Sequence, residues 1–258
     1  MERTRILPRR PRVVFLDVGW TLVYPQRSMW QVLSEIAGAE GLLLPAERVE
    51  RSVRDLLLSG RETARQQVAQ GTAVWSDSDT EFFAQFRNLT EMVLRGAGLE
   101  GDPEAWSRSF LERFWSAENW RLFEDVIPCL ERMKARGLAL GILSNAPSQL
   151  EVLLEIFGLR KFLDVLVISA VEGVRKPDRR IFERAAERAG VSPAEAVHVG
   201  DMYVEDVLGA RAAGMTPFLI DRGSRSMFPT YPEARDIDDP ECRIVRGLGE
   251  LVEKIGVD

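Results

Sequence analysis

Four consecutive apolar residues, Val13 to Leu16, stop on the carboxylate of Asp17, which reads as a strand buried on both faces and ending in a polar turn. Beyond Thr21 the period changes. From about Gln26 to Trp120 apolar residues recur at three- and four-residue spacing with little β-branched clustering. The segments MWQVLSEIA, PAERVERSVRDLLLSGRETARQQVAQ, DTEFFAQFRNLTEMVLRGAG and DPEAWSRSFLERFW predict about four helices packed as a small bundle. Trp30, Trp75, Trp106, Trp115 and Trp120 lie in or beside these helices, and such spacing places aromatic residues in the bundle core.

From Asp125 the pattern alternates between the two periods. DVIPCLERMKARG predicts a helix closed by Gly137, LALGILS a strand, PSQLEVLLEIFGL a helix and LDVLVIS a strand. PDRRIFERAAERAG predicts a helix opening with Pro177 and stopping at Gly190, followed by the strand AEAVHVG, the helix VEDVLGARAAG and the strand TPFLID. Residues 222–243, rich in Pro, Asp and Arg, read as loop, and IVRGLGELVEKIG as a closing helix. Such alternation calls for an α/β fold, a Rossmann-like parallel sheet with helices on both faces. The expected organisation is a core domain from residues 1–24 and 121–258, interrupted by an all-helical four-helix bundle at 25–120.

Composition narrows the partners. The chain has 258 residues and a formal net charge of −6, so it has no overall basic field for nucleic acid. No apolar run is long enough to span a membrane, and MERTRILPRRPR lacks the apolar stretch of a signal peptide, so a cytoplasmic location is expected. Cys129 and Cys242 lie far apart without a CxxC or His partner, which favours reduced thiols over a disulfide or a zinc site. A monomer or homodimer is expected.

Parallel strands bring their carboxyl ends to one edge, where open α/β sheets bind ligands. Asp17 ends the first strand; Ser144 and Asn145 follow GIL; Lys176 precedes Pro177; Asp201 follows VHVG, with Glu205 and Asp206 four and five residues on. Two carboxylates, a hydroxyl and an ammonium suit a phosphate and a hard cation: Asp17 and Asp201 as oxygen ligands of Mg²⁺, Ser144 and Lys176 as donors to phosphoryl oxygens. Each residue alone also has a plain reading, as a turn Ser, a surface Lys or an acidic helix start. His198, the sole His, sits inside AVHVG and reads as a packed or hydrogen-bonded structural residue. Arg27, Arg61, Arg65 and Arg87 read as solvated helix faces, or else meet an anionic substrate.

In this order, DxxxT after a first strand, S-N after a second, K-P before a helix and GDxxxxD after a later strand, the chain resembles the haloacid dehalogenase-like hydrolase superfamily with a helical cap inserted after the first motif. The resemblance runs from about Val13 to Asp221, and HVGDMYVEDVLGARAAGM is its most specific part. It implies that Asp17 is a nucleophile forming an aspartyl-phosphate, that Ser144 and Asn145 bind the phosphoryl group, and that Lys176 neutralises it. It implies Mg²⁺ ligation by Asp17, the Gly19 carbonyl and Asp201, with Asp206 an outer member of the metal and Lys network and Glu205 its alternative.

The first motif departs from the phosphatase form DxDxT. Gly19 stands where a second Asp serves as general acid/base, a loss on the order of 10²- to 10⁴-fold if unreplaced, and Trp20 occupies a position that is commonly Gly. The expected function is therefore a Mg²⁺-dependent phosphatase for a small phosphorylated metabolite, slow or restricted in its substrates. The alternatives are a phosphoryl- or partner-binding module that has lost turnover, and a 2-haloacid dehalogenase-like hydrolase. Dehalogenases of this superfamily also lack the second Asp, but lack the GD acidic pair kept here at Gly200 and Asp201. A phosphonatase needs a cap Lys, whereas the first Lys of this chain is Lys134.

Overall fold

A computed structural model describes residues 10–51, 78–223 and 237–256. They fall into two compact units, one running up to Tyr24 and resuming at Leu122, the other spanning Pro25 to Arg121.

The first unit is built on a parallel sheet. Its strands are β1 (Val13–Leu16), β4 (Ala139–Ser144), β5 (Val165–Ile168), β6 (Ala196–Gly200), β7 (Thr216–Ile220) and β8 (Ile244–Val245), in the order β5-β4-β1-β6-β7-β8. Every β1 residue is fully buried, as expected for a central strand flanked by β4 and β6. The register pairs Leu16 with Ile142 on one side and Val199 on the other, so the residues following β1, β4 and β6 emerge at one edge. The core between the sheet and the helix Arg179–Arg188 includes Val13, Phe15, Leu143, Val167, Ile181 and Phe182.

Three expectations change. Ile244 and Val245 do not begin the closing helix; they add an edge strand, β8, bonded to β7, and the helix starts at Leu248. Two residues are too short a run for alternation to reveal. The helix expected from Pro177 begins instead at Arg179, because Asp178 caps it by accepting from the Arg180 amide at 2.9 Å. VEDVLGARAAG is not one α-helix: Tyr203–Leu208 forms a wider π turn before a short α-helix, Gly209–Ala212.

The second unit holds the helices Met29–Ala39, Asp79–Ala97 and Pro103–Phe114. Their starts follow from local chemistry: a Ser28/Gln31 capping box, Ser78 accepting from the Glu81 amide, and Asp102 before Pro103. The second expected helix begins at Ala46 and is helical to Arg51; the rest of it, with Trp75, lies outside the described residues. Trp30, Trp106 and Trp120 are buried as expected, and Trp115 is half-buried. Phe110 stacks on Phe86 and Phe114 with ring centroids 4.9 and 5.1 Å apart. Where the chain passes from one unit to the other, β2 (Val23–Pro25) and β3 (Trp120–Leu122) form a two-stranded sheet, which the helical pattern of this region hides.

Gly141 lies in β4 where the Phe15 ring crosses it, and an added Cβ would stand 2.6 Å from two ring carbons. Gly141→Ala is expected to cost about 1–3 kcal/mol through overpacking of a core that cannot yield. A lower urea midpoint at unchanged slope would show it, and an unchanged midpoint would contradict it.

Candidate active site

The carboxyl ends of β1, β4 and β6 hold Asp17, Ser144 and Asp201, and the loop after the short helix Ser169–Glu172, which follows β5, brings in Lys176. Lys176 is 2 % exposed, and its Nζ donates to Asp17 Oδ1 at 2.9 Å and to Asp206 Oδ1 at 2.5 Å. An ammonium this deep is tolerable only because it is paired on two sides. Burial alone would pull its pKa down; the charges of Asp17 and Asp206 outweigh burial and hold it above its usual value.

Asp206 is fully buried and used on both oxygens. Oδ1 also meets His198 Nε2 at 2.8 Å, and Oδ2 accepts from the Met202 amide at 2.9 Å. Burial raises its pKa, but Lys176 and His198 outweigh that and hold it well below the carboxylate range. His198 behaves as the structural residue expected: it is buried, packs edge-on to Phe182 with centroids 5.3 Å apart, and burial lowers its pKa, which keeps it neutral. Its bond to Asp206 eight residues on is not visible in the sequence, because it depends on the intervening π turn.

Gly200 makes this possible. A Cβ at that position would lie 2.1 Å from Asp206 Cγ, so the carboxylate rests against bare backbone. The glycine of GDxxxxD is thus a site residue that sequence reasoning treated only as part of a motif.

Asn145 is placed differently from Ser144. Its Oδ1 accepts from the Lys176 amide at 2.8 Å and its Nδ2 donates to the Lys176 carbonyl at 2.9 Å, so its side chain clamps the Lys176 backbone. The buried Ser144 hydroxyl lies at the Asp17 carboxylate and stabilises its charged form. Arg175, next to Lys176, donates from Nε to the Lys176 carbonyl at 2.9 Å and lies 3.9 Å from Glu205 Oε1.

The acidic groups fit a cation. Asp17, Asp201 and Asp206 each offer a carboxylate oxygen within 4.8 Å of the others. The pKa of Asp17 is raised, first by burial; that of Asp201 is raised well above the usual carboxylate range by burial and by the charges of Asp17 and Asp206. One buried ammonium does not satisfy three carboxylates, and hard oxygen donors are what Mg²⁺ binds. Of the three, Asp206 already accepts on both oxygens.

Gly19 and Trp20 shape the turn after Asp17. Trp20 holds a left-handed backbone, φ 53°, where glycine is the favoured residue. Gly19 is not in that region, and a Cβ there meets no atom within 4 Å. Elsewhere, Arg27 turns to Asn119 Oδ1 and Glu35, and Arg87 is exposed beside Asn88; Arg61 and Arg65 lie outside the described residues.

A family profile described as haloacid dehalogenase-like hydrolase matches residues 11–214. The chain is 30% identical over 247 residues, 95% of its length and 96% of the relative's, to haloacid dehalogenase-like hydrolase domain-containing protein 3 of Danio rerio. It is 38% identical over 172 residues, 65% of its length and 72% of the relative's, to a glyceraldehyde 3-phosphate phosphatase of Methanopyrus kandleri. Among solved structures, a putative HAD-hydrolase from Bacillus subtilis bound to magnesium matches with TM-score 0.71 and 18% identity over 96% of this chain and 100% of that one. An L-2-haloacid dehalogenase from Xanthobacter autotrophicus matches with TM-score 0.64 and 21% identity over 93% and 96%. At these identities the structural likenesses establish the fold alone.

The raised pKa of Asp201 has a stability consequence. A carboxylate whose folded pKa exceeds its usual 3.8 destabilises the fold as pH rises through the raised value. Metal-free Asp201→Asn is therefore expected to unfold at higher urea than wild type at neutral pH, the gap closing as pH falls towards 3.8. Equal or lower stability at neutral pH would show that Asp201 carries no such penalty.

Proposed function

The chain belongs to the haloacid dehalogenase-like hydrolase family, and from that membership we propose that it is a Mg²⁺-dependent phosphatase acting on a small phosphorylated metabolite through an aspartyl-phosphate on Asp17. The observation that carries this reading is the cluster of Asp17, Asp201 and Asp206 around the buried Lys176. The helical unit is its cap, a reading supported by its insertion between β1 and the rest of the sheet.

In this reading an Asp17 carboxylate oxygen attacks phosphorus and the P–O ester bond breaks with its electron pair leaving on the alcohol oxygen. Water then attacks the aspartyl-phosphate, releasing inorganic phosphate and regenerating the carboxylate. Lys176 and Ser144 fix the Asp17 carboxylate and donate to phosphoryl oxygens, where charge is carried through transfer. Asn145 acts through Lys176, holding its backbone in place. Asp206 holds the Lys176 ammonium and is itself held by His198 and the Met202 amide. When bound at Asp17, Asp201 and the Gly19 carbonyl, Mg²⁺ supplies positive charge to the transferring group. Gly19 offers neither a proton to the leaving oxygen nor a base to the water, so substrates with good leaving groups react first and hydrolysis of the phosphoenzyme limits the rate.

Gly19 also supports a second reading, a phosphoryl-binding module without turnover. The dehalogenase reading is weaker: it does without Mg²⁺ and leaves the acidic cluster unexplained. Turnover on a panel of phosphomonoesters with and without Mg²⁺ decides between them. Metal-dependent turnover in wild type is expected, with an increase of about 10- to 10³-fold in Gly19→Asp, since the backbone angle and free space at Gly19 admit a side chain. No turnover by either protein would favour the binding module.

A further inference from the structure

The turn that carries Gly19 closes largely on itself: Trp20 N donates to Val23 O at 2.7 Å, and Leu22 N and Val23 N donate to Val18 O at 2.8 and 3.0 Å. With Trp20 left-handed, this is a conformation that its own residues do not favour. Thr21 is fully buried, and its hydroxyl has no hydrogen-bond partner among the described residues. Its carbonyl, however, is gripped from 201 residues away: Arg222 donates from Nε at 3.2 Å and from Nη2 at 2.8 Å.

Arg222 is itself immobilised. Its Nη1 lies 2.9 and 3.0 Å from the two Asp125 oxygens, and its guanidinium sits 4.0 Å over the Phe123 ring. Asp125 is anchored in turn by the Leu248 amide at 2.7 Å. The planar fork satisfies a carbonyl and a carboxylate at fixed angles, which a lysine ammonium on that stem cannot reproduce. Neither Arg222 nor Asp125 belongs to the residues lining the site.

We propose that Arg222, fixed by Asp125 and Phe123, is a positioning residue for the Asp17–Thr21 turn. It holds the Gly19 carbonyl and the Asp17 backbone at the spacing a divalent cation requires. The part of this inference that concerns the cation rests on the proposed metal-dependent function; the grip on the turn does not.

Arg222→Lys tests both parts on the full chain. Amide hydrogen exchange is expected to quicken by about 10-fold or more at Trp20, Leu22 and Val23 while β1 stays protected, and the dissociation constant for Mn²⁺ alone, by titration calorimetry, to rise about 10- to 100-fold. Lys134→Ala, which breaks a surface ion pair to Asp164, is expected to leave both unchanged. If Arg222→Lys does not fold, Asp125→Asn replaces it, with the same expected directions. Wild-type exchange in the turn would overturn the proposal, as would lost protection with unaltered Mn²⁺ affinity, which marks a purely structural bond. Failure of wild type to bind Mn²⁺ would instead count against the metal-dependent function, and the exchange measurement would still decide whether Arg222 holds the turn.

Discussion

The site is organised by one buried charge. Lys176 cannot lose its water unless anions replace it, and Asp17 and Asp206 do so from opposite sides of the chain's order, one after β1 and one after β6. Removing one partner of such a pair costs about 3–5 kcal/mol because the other is left charged and dry. The arrangement is therefore all or nothing: the sheet edge must close for the ammonium to be buried, and the ammonium must be present for the carboxylates to be close. Asp201 adds a third carboxylate oxygen within 4.8 Å of those of Asp17 and Asp206, and their charges together with burial disfavour its ionised form unless a cation is bound.

The backbone bends to meet that constraint. Gly200 gives way to the Asp206 carboxylate, the π turn at Tyr203–Leu208 widens the chain beneath it, and Asn145 pins the Lys176 peptide on both its N–H and C=O. Trp20 adopts an angle suited to glycine within a turn held by Arg222. Local preference is set aside at several of these points, a pattern expected where function rather than stability fixes the geometry.

What was legible in the sequence follows from which interactions are local. A strand of four apolar residues ending on Asp17, and the same pattern at Ser144 and Asp201, needs only the period of a strand and the direction of a parallel sheet to be placed at one edge. The helices of the second unit were legible through the three- and four-residue spacing of their apolar positions, while the caps at Ser28 and Ser78 emerge only with the structure. The rest was decided by long-range contacts. Arg222 lies in a stretch that reads only as loop, yet its partners are Thr21 and Asp125. His198 reads as core, and so it is, but its bond to Asp206 depends on a turn of unusual pitch. Residues 23–25 and 120–122 are too few to show strand alternation, so their pairing was invisible beside the helices they flank.

The central claim is that Asp17 is the group that takes the phosphoryl, while the charges around it serve that transfer. Acid quenching of the protein during reaction with a small acyl phosphate and Mg²⁺, followed by peptide mass spectrometry, tests it most directly. The account predicts one added phosphoryl group on the peptide containing Asp17, acid-stable and labile to hydroxylamine as an acyl phosphate is, and absent from Asp17→Asn. Phosphate released at the wild-type rate by Asp17→Asn, or a phosphoryl group on another residue, would contradict it.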